Sequence, residues 1–339
     1  MSFAAKIVDW QRRRGRRDLP WQGTRDAYRV WLAEIMLQQT QVATAIPYYE
    51  RFLARFPDVA ALAHAPLGEV LRLWSGLGYY ARARHLHAAA REIARRGAFP
   101  RSLEGLRALP GIGRSTAAAI AVFAFGERAA ILDGNVKRVL ARVFGIEGER
   151  AQWALAERLL PRSGVRAYTQ GLMDLGATVC VRRNPRCGLC PAARACLARR
   201  EGRIAELPSP RRRKPLPVRR ATWLVLLAGG RVLLERRPPR GLWGGLWSFP
   251  ELPAGAAPQA HCRRSLGAQL RSVRSLPALV HAFTHFRLEA RPLRCDLRGA
   301  PAGNGRAWLP LAAAAKAAVP APVRAVLLGL VGDQAPQRL

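Results

Sequence analysis

The sequence predicts two domains of different class: a mainly α-helical N-terminal domain over residues 1–205 and a smaller α/β domain over 221–339. A basic, proline-rich linker over 206–220 joins them. Three observations lead to this reading. From Ile7 to about Arg200, apolar residues recur at three- and four-residue spacing, as amphipathic helices require. From Leu207 to Arg220 the chain places four prolines and six cations in fourteen residues, a composition that cannot build a core element. Beyond it the apolar period falls towards two, the mark of half-buried strands.

Within the first domain, helices are expected over Tyr28–Val42, Leu67–Leu73, Ala81–Arg95, Ser115–Phe125 and Val136–Phe144. Short Gly/Pro stretches such as Gly76–Gly78 and Pro110–Gly113 separate them. In the second domain, Ala221–Leu227 and Arg231–Glu235 read as a hairpin turning at Gly229-Gly230. Further strands are expected over Ala282–Ala290 and 293–297, and helices over Ala312–Ala318 and Val323–Leu330. At 339 residues there is ample chain for two cores.

Lys and Arg number 56 against 22 Asp and Glu, a formal net charge of +34. Folding gains nothing from such self-repulsion, so the excess points to a polyanionic partner, with nucleic acid first. No stretch supplies the roughly 20 apolar residues of a membrane span, and Arg12, Arg13 and Arg14 break the N-terminal pattern that a signal peptide would need. A monomeric cytoplasmic protein is expected, nucleoid-associated if bacterial, with no membrane partner. A sliding clamp is left open as a further partner.

Four of the six cysteines fall within seventeen residues: Cys180, Cys187, Cys190 and Cys196, spaced C-x6-C-x2-C-x5-C. Four thiolates on so short a loop suit one 4Fe-4S cluster. Zinc also accepts four cysteines, but the paired C-x2-C knuckles of zinc ribbons are missing, which favours iron–sulfur. Arg182, Arg183, Arg186 and Arg194 are interleaved with the cysteines, where they can meet phosphates.

Leu109-Pro-Gly-Ile-Gly-Arg-Ser-Thr116 lies between two helical segments. Gly111 and Gly113 permit a tight turn and leave backbone amides bare at the start of the following helix, which suits a phosphate oxygen. Leu132-Asp-Gly-Asn-Val-Lys-Arg-Val139 follows. Together with the cysteines, these segments resemble the helix-hairpin-helix glycosylase superfamily of the endonuclease III type. Ala33-Glu-Ile-Met-Leu-Gln-Gln-Thr-Gln-Val42 and Gly76-Leu-Gly-Tyr-Tyr-Ala-Arg-Ala-Arg84 resemble its MutY branch, the adenine glycosylases. The resemblance runs from about Asp9 to Cys196. It continues more thinly through Gly241-Leu-Trp-Gly-Gly-Leu-Trp247 and Phe283-Thr-His285, and it implies base excision repair of adenine mispaired with 8-oxoguanine or guanine in double-stranded DNA.

Breaking an N-glycosidic bond calls for an acid that neutralises the departing base and a carboxylate that steadies the sugar cation, much as in glycoside hydrolysis. Glu34 sits among Val30, Trp31 and Leu37 on an apolar helix, where desolvation raises a carboxyl pKa. The resemblance makes it the acid. Asp133 precedes a helix and reads locally as an N-cap. The resemblance places it beside the sugar C1′, and the two roles are compatible; Asn135 is implied to position these groups. Ser115 stands where relatives that cut the backbone carry a lysine, which implies base removal without efficient strand cleavage. The resemblance further assigns Gln39, Gln41 and Tyr79 to the vacated base stack, with Gly111, Gly113 and Ser115 also at the DNA. Leu19, Trp21, Gln22 and Gln170 are implied to form the adenine pocket. On local sequence alone, Trp21 reads equally well as core and Tyr79 as packing.

The second domain resembles a NUDIX fold without its chemistry. After Glu251 there is no glutamate-dense helix to hold magnesium, so no magnesium is expected and nucleotide hydrolysis is disfavoured. The resemblance assigns Phe283, Thr284 and His285 to 8-oxoguanine recognition, with Thr284 replacing the family's serine. His281 and His285 with Cys262 and Cys295 make a poor zinc set and are read as packing. A bifunctional glycosylase/lyase and a noncatalytic DNA-binding iron–sulfur protein are the competing readings.

Overall fold

The computed structural model describes residues 1–210, 215–298 and 306–332. The chain divides into two compact units, Met1–His64 with His85–Arg212, and Ala65–Arg84 with Arg213–Leu339. The centre of the expected linker, residues 211–214, lies outside the described residues.

Helices in chain order are α1 (Phe3–Arg14), α2 (Ala27–Leu37), α3 (Val42–Arg55), α4 (Val59–His64), α5 (Leu67–Trp74), α6 (Tyr80–Arg96), α7 (Leu103–Arg107), α8 (Arg114–Ile120), α9 (Gly134–Phe144), α10 (Glu149–Arg158), α11 (Val165–Asp174) and α12 (Leu197–Arg200). Short polar side chains start several of them. Ser2 caps α1, Asp26 caps α2 by accepting from the amides of Tyr28 and Arg29, and Ser102 caps α7. In the first unit, Ile7 of α1, Val122, then Val136, Val139 and Leu140 of α9, and Leu175 meet in one core, all fully excluded from solvent.

One expected helix is corrected. The expected helix spans Tyr28–Val42, but the helix stops at Leu37 and restarts at Val42, with the polar run Gln38-Gln39-Thr40-Gln41 between. Gln39, at φ 59°, occupies the left-handed region that a non-glycine residue enters only under constraint. Both α8 and α11 end in a wide π turn, Ala121–Phe125 and Leu175–Val179. Such turns commonly re-aim backbone at functional sites.

The second unit holds one mixed sheet: β1 (Val218–Ala228), β2 (Arg231–Arg236), β3 (Trp247–Ser248), β4 (Glu251–Leu252), β5 (Leu270–Ser275), β6 (Leu279–Ala282), β7 (Arg287–Leu297) and β8 (Arg306–Pro310). The principal order is β3-β2-β1-β7-β5, with β4 on β1, β6 on β7 and β8 on β2. Strands β1 and β7 pair in parallel from Val218↔Arg287 to Leu227↔Asp296, and the other pairings are antiparallel. The β1–β2 hairpin turns at Gly229 and Gly230, both at positive φ, as tight two-residue turns demand.

The strand expected over Ala282–Ala290 is also corrected: it is two strands, β6 and β7, joined by the turn Phe283–Phe286. The Phe283 amide donates to the Phe286 carbonyl at 2.8 Å. Helices α13 (Pro258–Leu266), α14 (Leu311–Lys316) and α15 (Ala321–Gly332) complete this unit. Its core gathers Leu224, Leu226, Leu233, Leu266 and both remaining cysteines, Cys262 and Cys295. Residues 65–84 are fastened here: Ser75 donates to the Val319 carbonyl at 2.8 Å, and Arg84 to that of Gly244 at 2.9 Å.

The π turn after α11 depends on a missing side chain. A Cβ on Gly176 would lie 2.5 Å from Asn135 Cβ and 3.1 Å from its Cα. Gly176→Ala should therefore destabilise the fold by about 1–3 kcal/mol in urea titrations, because the backbone must move. A Cβ on Gly188 meets nothing within 4 Å, and Gly188→Ala should stay within about 0.5 kcal/mol of the wild type.

Candidate active site

Helix α2 buries Tyr28, Val30, Trp31, Leu32, Ala33, Ile35 and Met36, and Glu34 interrupts this apolar surface. Its side chain reaches a cavity of about 440 Å³, whose wall includes Leu19, Trp21, Gln22, Val42, Phe123 and Gln170. The structure thus brings Glu34 and all four residues assigned to the adenine pocket to one void. Burial raises the Glu34 pKa from its ordinary value to about 8, and the negative charge of Asp133 adds to the rise. The carboxyl group therefore keeps its proton at neutral pH.

Gln22 on the same wall is held through one end of its amide. Gln22 accepts from the Leu19 amide at 3.4 Å through Oε1, while its Nε2 is buried with no hydrogen-bond partner within the described residues. A buried donor left this way is costly unless a ligand supplies an acceptor. Trp21 meets Tyr49 edge to face with ring centroids 5.4 Å apart, so it both packs and lines the cavity.

Asp133 is the N-cap of α9, accepting from the Val136 amide at 2.7 Å. Its environment differs from that of Glu34. Burial raises its pKa, while the Val136 and Asn135 amides, the Arg138 guanidinium and the Asn135 side chain oppose the rise. Asp133 is not part of the cavity wall, but it is close enough to act electrostatically on Glu34. The Ser115 hydroxyl accepts from the Leu132 amide at 3.0 Å, tying α8 to the residue before Asp133. Asn135 accepts from Arg138 at 2.8 Å and packs against Gly176.

Two arginines missed by sequence reasoning connect α9 to the cysteine loop. Arg138 donates to the carbonyls of Gly176 at 2.7 Å and Cys180 at 2.8 Å. Arg142, almost wholly buried, donates to the carbonyls of Leu207, Val181 and Arg182 at 2.8, 2.7 and 3.0 Å, and approaches Cys180 Sγ at 3.5 Å. The four-residue spacing between them puts both on one helix face, but only the fold shows what that face meets. Cys180, Cys187, Cys190 and Cys196 surround one small apolar cavity with Val139, Leu175 and Ile204. Among the described residues, no three His, Cys, Asp or Glu side chains converge closely enough to grip a single metal ion. The same residues show no such convergence at His281, His285, Cys262 and Cys295.

Gly111, at φ 79°, shapes the turn between α7 and α8, and Gly113 starts α8 without a side-chain cap. Gln38 donates to Thr116 Oγ1 at 3.2 Å, fastening the end of α2 to this hairpin. Gln39 and Gln41 are exposed beside it. Tyr79 lies elsewhere, in the second unit. It is 45% exposed at φ 48° and lines a cavity of about 530 Å³ with Trp243, His281, Phe283, Thr284 and His285. Phe283 stacks on Phe286 with centroids 4.4 Å apart, and Trp243 packs on Phe283 at 5.6 Å. Trp243 was another residue not singled out from sequence. Helix α13, Pro-Gln-Ala-His-Cys-Arg-Arg-Ser-Leu, carries no carboxylate.

Residues 32–161 match the helix-hairpin-helix superfamily of base excision DNA repair proteins, and 222–329 match the NUDIX domain. The adenine DNA glycosylase of Buchnera aphidicola from the aphid Acyrthosiphon pisum is 34% identical over 300 residues, which cover 86% of this chain and 85% of that protein. The mouse enzyme is 35% identical, over 91% of this chain and 74% of its own length. The chain belongs to the adenine DNA glycosylase family. This makes it a base excision repair enzyme that acts on N-glycosidic bonds. A thermostable thymine-DNA glycosylase structure is similar over 59% of this chain and 95% of its own, with a TM-score of 0.55 and 32% identity. An endonuclease III–DNA complex, at 20% identity and a TM-score of 0.52, shares the fold over the same portion.

Arg142 is the densest hydrogen-bond donor under the cysteine loop, which generates a test. Arg142→Met fills similar volume but leaves three carbonyls unpaired. It should lower stability by more than about 2 kcal/mol in chemical denaturation, and it should make the 180–196 segment the first site of proteolytic cleavage.

Proposed function

We propose that this chain is a monofunctional adenine DNA glycosylase that removes adenine opposite 8-oxoguanine or guanine, with Glu34 as general acid and Asp133 as the carboxylate that steadies the sugar. The observation that carries the proposal is a protonated carboxyl group in a base-sized cavity, electrostatically coupled to a second carboxylate on a different helix.

The nucleotide must leave the duplex for its base to enter a cavity walled by protein. Phosphate grips at the α7–α8 turn, and Gln39 and Gln41 beside it, suit that step. With adenine in the pocket, Glu34 gives its proton to a ring nitrogen as the C1′–N9 bond breaks, and the bonding electrons leave with the base. Positive charge develops on the sugar, where ionised Asp133 stabilises it until water adds at C1′. Asn135 and the Val136 amide keep Asp133 in place. Ser115 has no amine to attack the sugar and instead holds the Leu132 amide. The product is an abasic site in an unbroken strand.

The cysteine donor set fits a 4Fe-4S cluster. Four sulfurs ring one void without converging on a single ion. Burial and the neighbouring sulfurs push the Cys190 thiol up to about 11, a cost that a cationic centre would remove. When bound, the cluster would neutralise the thiolates and hold the loop that carries Arg182, Arg183, Arg186 and Arg194 towards phosphates. In the second unit, Phe283, Thr284 and His285 share a cavity with Tyr79, a set of ring faces and hydrogen-bonding groups suited to the base opposite adenine. The absence of carboxylates on α13 supports recognition there over magnesium-dependent hydrolysis.

Five outcomes test this reading. Glu34→Gln keeps the shape and removes the acid. Single-turnover adenine release should fall by at least about 10³-fold, while binding to mispaired duplex persists. Because the acid form is the active one, wild-type release should decline as pH rises through about 8, the value set by Glu34 burial. The same shift makes Glu34 a cost to folding that grows as pH climbs from 4.5 towards 8, since the unfolded chain ionises first. Glu34→Gln should therefore raise the melting temperature more at about pH 8 than at about pH 4. Product strands should remain intact until heated in alkali. Finally, Phe283→Ala should cut the preference for 8-oxoguanine over guanine by about tenfold, in line with the loss of one base–aromatic stack.

A further inference from the structure

Asp174 takes no part in the chemistry above, yet its side chain is completely shielded from solvent. It terminates α11 and accepts from the Arg16 backbone amide at 3.0 Å, from Arg16 Nε at 2.7 Å and from Gln170 Nε2 at 2.9 Å, with Arg16 Nη2 also at 2.7 Å. Such a buried pair adds little net stability over an apolar one, so its retention calls for another explanation. Both Arg16 and Gln170 belong to the wall of the cavity that holds Glu34.

A carboxylate clamped by a guanidinium can only accept hydrogen bonds. The Gln170 amide must therefore turn its NH2 group to Asp174, and its Oε1 remains as the polar end available at the pocket wall. The orientation of an amide, which geometry alone leaves ambiguous, is decided here by its partner. Elsewhere on the wall, the protonated Glu34 and the unpartnered Gln22 Nε2 offer donors, and Arg16, Arg17 and Arg166 bring cations. Gln170 adds an acceptor whose orientation is held by Asp174.

We infer that the Arg16–Asp174 pair locks Gln170 as an acceptor, so that the pocket takes a purine bearing an exocyclic amine and rejects one bearing a carbonyl at the same position. This rests on the adenine glycosylase reading. Asp174 is a positioning residue that touches no substrate; its effect passes through the Gln170 amide. A carbonyl-bearing base would oppose one acceptor to another and leave both unpaired. Sites built on such complementarity discriminate far more strongly than apolar walls do.

The experiment measures single-turnover release of adenine, hypoxanthine and unsubstituted purine, each opposite 8-oxoguanine. It compares wild type, Asp174→Asn, Gln170→Leu and the double variant. The side-chain amide introduced by Asp174→Asn can donate to Gln170, freeing the glutamine to present its NH2 group to the pocket. Wild type should favour adenine over hypoxanthine by at least about 10²-fold. Each single substitution should narrow that ratio by about tenfold or more, and the double variant should narrow it no further, because both act through one amide. The unsubstituted purine separates lost attraction from repulsion: only hypoxanthine should gain in absolute rate with Asp174→Asn. An unchanged ratio in Asp174→Asn, with all three bases slowed alike, would overturn the inference, as would additive losses in the double variant. Should Asp174→Asn fail to fold, Gln170→Leu leaves the ion pair intact, and an unchanged ratio there overturns the inference equally. A wild type that releases no adenine refutes the glycosylase reading itself; one that releases adenine while the variants keep its selectivity refutes the inference alone.

Discussion

On the proposed chemistry, two carboxyl groups serve opposite needs, since one must keep its proton near neutrality and the other must lose it. They cannot do so in identical surroundings, and much of the helical unit can be understood as the means of separating them. Glu34 is set on an apolar helix, where desolvation dominates and the charge of Asp133 only strengthens the effect. Burial raises the pKa of Asp133 too, but this residue sits at a helix N-terminus, where backbone amides and the Arg138 guanidinium offset part of the rise. The capping role that makes Asp133 look merely structural is the same interaction that fits it for charge stabilisation. Coupling between the two is favourable in this direction, since an ionised Asp133 helps Glu34 hold its proton.

Helix α9 extends this arrangement towards the cysteine loop. Its first turn presents Asp133 and Asn135, and its later turns present Arg138 and Arg142, which grip the backbone around Cys180. Gly176 lets the π turn approach Asn135 at a distance no side chain would tolerate. One helix thus joins the cysteine loop to the carboxylate at its start. On this view the cysteines need not touch substrate to matter for catalysis.

Glu34 was legible in the sequence because an acid inside an apolar helical stripe contradicts its own pattern. The Gly229-Gly230 hairpin was legible because local turn chemistry decides it. The break after Leu37 was not, because the polar run Gln38-Gln39-Thr40-Gln41 contains no glycine or proline and reads equally well as a solvated helical turn. The left-handed Gln39 follows a residue whose side chain is tied to Thr116, far along the chain. Nor was the division of Ala282–Ala290 into two strands visible. Its alternating pattern passes straight through Phe283–Phe286, whose rings stack across the turn. Convergence of Tyr79 with Phe283 on one cavity, and of Leu19 with Gln170 on another, arises only when distant segments fold together. No periodicity within a single segment encodes it.

The second unit has the frame of a NUDIX domain. A parallel β1–β7 pair, a glycine-rich segment before β3 and a helix after β4 are all present. The helix, α13, carries Arg263 and Arg264 where an enzyme of this fold would need carboxylates for a metal. The same sheet supports the β6–β7 turn, and Trp243, itself held at φ 54°, braces Phe283 from one side while Phe286 stacks against it. An aromatic platform of this kind is rigid and indifferent to phosphate, which suits it to read a base by its face and edge. On the proposed reading, the carboxylate-free α13 and the aromatic platform serve one end, recognising a base rather than hydrolysing a nucleotide.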